Sequence, residues 1–395
     1  MFDRPVDLRV GHVIDEFLRY SETFVYTQLR LQPPEQVAVL TRRRVNADRF
    51  PCDRVHELDA RAEPRYVAAL RRRLLRLSGV PSRFQRGIAQ AAAEQGCTAL
   101  HAHFGWSGID CLHAVRRLGL PLLTALHGKD VYAAPGARGS GERHYRELFA
   151  RGSMFTCVGP NARAHLAGIG CPQERLRIVK VGIDLEAFAF RPAPPREPLV
   201  VLQVGRLAEK KGVDVTLRAF ADALAELGDA ELWLAGDGSL RPSLERLAAE
   251  LGIADRVRFL GALPHDEVIR RVERANIGIQ PSRVAADGDR EGSPTVLIEM
   301  QAMGVPVVAT RHADIPAIVA APDELVDEDD VGALARRLVA VARLDGEALE
   351  ARRRRGRELV EREHDARRIA TQLEGLYAEM AAGYAAAPMR PGVPT

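Results

Sequence analysis

The stretch Asp289-Arg-Glu-Gly-Ser-Pro-Thr-Val-Leu-Ile-Glu-Met-Gln-Ala-Met-Gly-Val-Pro-Val-Val-Ala-Thr310 runs from a polar turn through an apolar helix into a β-branched strand. Ser293 is a residue type that caps helix starts and Pro294 one that fits a first helical position. Gly304 and Pro306 then stop the helix before the strand. The pattern predicts a helix opening at Ser293, whose free N–H groups and dipole make an anion site beside Gly292 and Thr295. Glu291 stands at the mouth, and Glu299 lies about two turns further along the same face. Two carboxylates beside an anion site repel phosphate unless they face hydroxyl groups, so sugar and ribose hydroxyls are the expected partners. The plainer alternative is a solvated loop charge and a helix-surface residue. The apolar neighbours Val296-Leu-Ile298 and Met300 weigh against it.

Working outward, Val201-Leu-Gln-Val-Gly-Arg-Leu-Ala-Glu-Lys-Lys-Gly-Val-Asp-Val215 reads as a strand ending at Gly205, a basic loop, and a helix after Gly212. Arg206 and Lys211 are expected to project from the strand's carboxyl end and neutralise a departing diphosphate, with Lys210 in water. Such a loop is a solvated turn in most proteins; its coincidence with the Ser293 helix start sets it apart. Further β-rich runs alternate with helical ones along the whole chain. They begin with Leu8 to Ile14 and end with Pro306 to Thr310, and they predict parallel sheets. The stiff Arg191-Pro-Ala-Pro-Pro-Arg-Glu-Pro198 separates two halves. The expected fold is therefore α/β, two Rossmann-like doubly wound domains facing across a cleft. Residues 1–187 are expected to form one domain and 188–364 the other, with a helix and tail over 365–395.

A chain of 395 residues is too long for one ordinary core. It has no apolar run of bilayer length, and Met1 to Arg9 lack the pattern of a secretory signal, so a cytoplasmic location is expected. Five scattered cysteines show no Cys-x-x-Cys pair and no histidine at metal spacing, which points to reduced, buried thiols and no bound metal. A net charge of +3 argues against a nucleic-acid partner. The arginine-rich Arg65–Arg86 stretch includes Tyr66 to Leu77, which reads as a basic amphipathic helix suited to peripheral contact with the inner membrane face or an acidic partner, or else as a solvated helix face.

Gly205-Arg206 with Lys211-Gly212, Gly236-Asp-Gly238, Phe259-Leu-Gly261 and Glu291-x7-Glu299 together resemble the glycosyltransferase family-4 branch of the GT-B superfamily. The resemblance covers most of the chain. It implies a retaining hexosyltransferase that moves a sugar from a UDP- or GDP-sugar to a glycan, lipid-linked or small-molecule acceptor. Arg206 and Lys211 would hold the pyrophosphate, Glu299 the ribose and Glu291 the transferred sugar, with the loop after Gly261 near the base. His127, at a strand end, would face the donor sugar; it also reads as a structural histidine. Ser21, Glu22, Thr23, His103 and Trp106 would shape the acceptor side. Tyr20-Ser21-Glu22-Thr23-Phe24 replaces the glycine pair that many relatives carry, and is similar to the exopolysaccharide subgroup of the colanic-acid and amylovoran type.

Asp287-Gly-Asp289 matches a metal-holding Asp-x-Asp pattern but reads first as a turn. With Arg206, Lys211 and a helix N-terminus available for the phosphates, no metal cofactor is expected. A nicotinamide oxidoreductase would need a Gly-x-Gly-x-x-Gly turn that neither Gly11-His12 nor Gly205-Arg206 begins. A nucleotide-sugar epimerase of the same architecture, or a non-catalytic two-domain sugar-binding protein, are the remaining alternatives.

Overall fold

Strands buried on both faces read as continuous apolar runs. Thirteen strands, every pair of neighbours parallel, organise the residues described by the computed structural model: 8–19, 22–58, 81–132 and 140–386. The first sheet holds β1 (Val10–Phe17), β2 (Val37–Arg44), β3 (Val55–Glu57), β4 (Ala99–His103), β5 (Leu122–Leu126), β6 (Met154–Cys157) and β7 (Leu176–Ile178), in the order 3-2-1-4-5-6-7. The second holds β8 (Leu199–Val204), β9 (Ala230–Ala235), β10 (Val257–Gly261), β11 (Ile277–Gln280), β12 (Val307–Thr310) and β13 (Leu325–Val326), in the order 10-9-8-11-12-13. Each is a doubly wound, Rossmann-like sheet, and the pair make the GT-B architecture. Strand order reverses between β1 and β4 and between β8 and β11, where such sheets open a crevice beyond their carboxyl ends. Only β13 lacks a sequence counterpart, because two residues are too short for a pattern to register.

The Arg191–Pro198 stretch lies between the two sheets in sequence and runs along the second, where Asn276 Nδ2 donates to the Pro195 carbonyl at 3.0 Å and Arg196 Nη1 to that of Ala342 at 2.8 Å. The C-terminal helix packs back on the first domain. After the Gly346–Glu363 helix the chain crosses back, with Ile183 N–H donating to the His364 carbonyl at 2.9 Å, and the Ala366–Ala386 helix covers one face of the first sheet. Ile369, Leu373, Leu376, Tyr377 and Met380 pack there on Val10, Ala99, Leu123, Met154 and Val179. The core of the first domain is thus completed by the Ala366–Ala386 helix.

Most of the arginine-rich stretch, from Arg65 to Arg76, falls within 59–80, outside the described residues. Arg83 opens the Arg83–Glu94 helix and Arg86 lies in its first turn, with Ser82 and Gln85 forming a reciprocal cap. Among the described residues no helix is long and apolar enough to cross a membrane. Four of the five cysteines are buried and all are unpaired.

Candidate active site

A cleft of about 1170 Å³ lies between the carboxyl ends of the two sheets. On its floor the β8 strand gives way at Gly205 to the basic loop. Gly212 adopts φ +60° against the Pro281 carbonyl, a position where a Cβ would collide with backbone. That close turn brings both lysines inward. Lys211 Nζ meets Glu291 Oε2 at 2.9 Å, and Lys210 Nζ meets Glu291 Oε1 at 3.3 Å and Asp289 Oδ2 at 3.1 Å. Lys210 is therefore not a solvent-facing residue as expected; it shares in the cluster because Asp289 and Glu291 both face it. Burial alone would raise the Glu291 carboxyl, but Lys211 and Lys210 hold it down at about 2. Arg206 is exposed at the cleft rim and has no ion-pair partner among the described residues.

The expected helix exists but begins later, as Thr295–Ala302, with Pro294 in the capping position and no side-chain cap. Ser293 Oγ instead sits buried without a partner. Glu291 consequently lies in the loop before the helix, and its backbone N–H donates to His312 Nε2 at 3.0 Å. Glu299 is on the helix, 6% exposed, and burial pushes its carboxyl up to about 7. Gly205, Arg206, Lys211, Glu291, Gly292, Ser293, Pro294, Thr295 and Glu299 all line the one cleft. Gly261, at φ +72°, does not; Leu263 of the loop that follows and His265, which opens the His265–Val272 helix, do.

Across the cleft stands His127, its ring between Phe24 (centroids 5.0 Å) and Phe104 (5.5 Å). Burial drops it to about 4, so it is neutral at pH 7. The neighbouring Gly128 approaches Gly292 so closely that a Cβ on Gly292 would lie 3.1 Å from the Gly128 nitrogen. Glu22, Thr23 and Trp106 line the first-domain side, while Ser21 is outside the described residues. Glu22 Oε2 has no partner, and burial, opposed by Arg19, raises this carboxyl to about 7.

His103 is corrected. It is 1% exposed and absent from the cleft lining, because alternate residues of a strand face opposite ways and it shares the buried face of β4 with His101. His12 of β1 joins them, and the three rings bring ligand-type nitrogens within 4.8 Å of one another, a cluster hidden from the sequence by its spacing. Their bonds define the tautomers. His12 Nε2 donates to Gln32 Oε1 at 3.1 Å, so its Nδ1 accepts from His103 Nε2 at 3.1 Å. His101 Nδ1 bonds the Tyr377 hydroxyl at 2.6 Å. Burial keeps all three rings neutral, holding them well below their ordinary value. The arrangement stitches the C-terminal helix to β1 and β4.

Comparison with known proteins gives the family and the fold. A family model described as glycosyltransferase family 4 matches residues 22–187, and one described as glycosyl transferases group 1 matches 185–359. A protein named as a colanic acid biosynthesis glycosyltransferase, WcaL of Escherichia coli (strain K12), is 34% identical over 282 residues, covering 70% of this chain and 69% of its own. The amylovoran biosynthesis glycosyltransferase AmsK of Erwinia amylovora is 33% identical over 254 residues, 62% and 61% of the two chains. In fold, the Anabaena protein Alr3699/HepE, solved in complex with UDP and glucose, superposes with a TM-score of 0.76 at 15% identity, over 94% of this chain and 99% of that one. The chain belongs to the family-4, group-1 glycosyltransferases of GT-B fold, and is similar to members of their exopolysaccharide subgroup.

Proposed function

We propose that this enzyme transfers a hexosyl group, with retention, from a nucleoside diphosphate sugar to a glycan acceptor in polysaccharide assembly, without a metal ion. The observation that carries the reading is the Lys210–Lys211–Glu291 cluster, held at the strand-order reversal of one sheet and facing His127 and Gly128 of the other. A diphosphate entering beside Arg206 and Lys211 would meet positive charge and the amides of the Thr295–Ala302 helix, and Glu291 would be released to accept sugar hydroxyls. Glu299, on the same helix, suits a ribose. The names of WcaL and AmsK support a polysaccharide acceptor, and the UDP in the HepE structures supports a nucleotide donor.

The weak basicity of two cleft groups supports retention. Glu291 at about 2 and His127 at about 4 are weak bases at neutral pH. On this reading the departing diphosphate oxygen takes the acceptor proton, on the face the sugar leaves from. Glu22 at about 7 favours a second reading, in which it deprotonates the acceptor on the opposite face and the product is inverted. NMR of the product anomer decides. Retention, with Glu22→Gln keeping activity within about 10-fold, is expected; an inverted product with a loss of about 10³-fold in Glu22→Gln would assign the base role to Glu22.

A further inference from the structure

The loop after β12 touches both halves of the site through two adjacent contacts. His312, 1% exposed, accepts the Glu291 N–H on Nε2 at 3.0 Å, and its Nδ1 donates to Glu328 Oε1 at 2.7 Å. Because a backbone N–H can only donate, Nε2 must carry the lone pair, and Glu328 selects the tautomer that supplies it. Two residues on, Asp314, 2% exposed, reaches into the other domain. Its Oδ1 accepts from Asn161 N at 2.7 Å and its Oδ2 from Ala162 N at 3.0 Å. These are free amides in the first turn of the nine-residue Pro160–Gly168 helix, whose own capping residue, Gly159, has no side chain to offer them. A Cβ at Gly159 would run into the Asp314 carboxylate, so the glycine makes room for a cap supplied by the opposite domain. Between the two contacts Ala313 sits at φ +45°, left-handed without being glycine, a conformation that persists where its surroundings dictate it.

We infer that the His312–Asp314 loop is a positioning device that couples the docking of the two domains to the placement of Glu291. Asp314 fixes where the first domain sits, and with it the approach of Gly128 to Gly292. His312, on the same short loop, fixes the backbone of Glu291 in the matching position. Neither residue lines the cleft, so each acts through others. The inference rests on the transferase reading above; if wild-type protein transfers no sugar from a nucleoside diphosphate donor, that reading fails whatever the variants do, and domain docking remains readable by small-angle scattering.

The test uses the full chain with Asp314→Ala, Asp314→Asn, His312→Ala and the Asp314→Ala/His312→Ala double variant. For each, kcat and donor KM, the Kd for UDP and GDP by calorimetry, and the radius of gyration are measured. Expected for Asp314→Ala is a kcat about 10- to 100-fold lower with an enlarged radius of gyration, while nucleotide Kd stays within about twofold, because the nucleotide is held by the second domain alone. Asp314→Asn, which keeps one accepting oxygen, recovers part of kcat. The double variant loses little more than either single one, as expected of residues acting through one loop. Wild-type kcat and radius of gyration in Asp314→Ala would overturn the inference. So would losses that simply add in the double variant, or a kcat loss matched by an equal loss of nucleotide affinity.

Discussion

At the scale of single residues the cleft separates cations that are committed from one that is not. Lys210 and Lys211 are tied to Asp289 and Glu291, whereas Arg206 stands exposed at the rim. Losing one preorganised donor to a developing phosphate charge typically costs about 10² in rate, so Arg206→Ala and Lys211→Ala should each lower kcat/KM by about that factor or more. The two should differ in kind. Lys211→Ala also leaves Glu291 with less positive charge around it, which raises its pKa, so its activity should fall further on acidification, whereas Arg206→Ala should keep the wild-type pH profile. Steady-state kinetics from pH 5 to 8 separates them.

Glu299 makes a prediction about stability. Its folded pKa, about 7, lies above the unfolded carboxylate value, so between the two the folded protein holds the extra proton. Stability from this group is present at low pH and is lost as pH rises toward 7. Glu299→Gln, which mimics the protonated form, should flatten that part of the melting-temperature profile and weaken nucleotide binding at pH 8, where the ionised carboxylate would accept ribose hydroxyls. An unchanged profile together with unchanged UDP and GDP affinity would remove Glu299 from both roles.

At the scale of elements, the Ala366–Ala386 helix carries a role its sequence position conceals. It is the last element among the described residues, yet it completes the core of the first domain and anchors the histidine chain through Tyr377. Tyr377→Phe removes the hydroxyl partner of buried His101 and should cost about 1–3 kcal/mol. Leu373→Ala should cost about 2–5 kcal/mol through the void it leaves. Both should lower the melting temperature of the first domain while sparing nucleotide binding, which calorimetry on the same samples can check. The helix Thr295–Ala302 teaches a related lesson. Ser293 and Pro294 are strong local start signals, but the cap they promise is not made, because Pro294 takes the boundary and Ser293 Oγ is left facing the cleft's buried wall.

At the scale of the whole molecule, charge neutralisation is distributed across the second domain. Asp289, half of the Asp-x-Asp match, is bonded to Lys210, and Asp287 accepts the Asp289 N–H at 3.0 Å to close the turn. A divalent ion would have to displace a lysine to use that pair. Transfer is therefore expected to continue undiminished in excess EDTA. Activity abolished by chelation, restored by manganese, and lost in the Asp287→Asn/Asp289→Asn variant would reverse the assignment of the phosphate site to Arg206 and Lys211.

What the sequence determined by itself is everything carried by local signals. Alternating apolar runs and helical spacing announced the strands of two parallel sheets. Gly205, Gly212, Gly304 and Pro306 marked where strands and helices end, and the Glu291-x7-Glu299 spacing put two carboxylates near one helix start. These depend on backbone preferences and periodicities within a few turns of chain. Tertiary structure alone decided the partners. Lys210 joining Glu291 across about 80 residues, His103 turning into the core beside His12, the Ala366–Ala386 helix closing the first domain, and Asp314 capping a helix more than 150 residues away are contacts between distant segments. No local pattern encodes them, because they form only when folding brings separate faces together and burial makes an unpaired charge or lone pair costly.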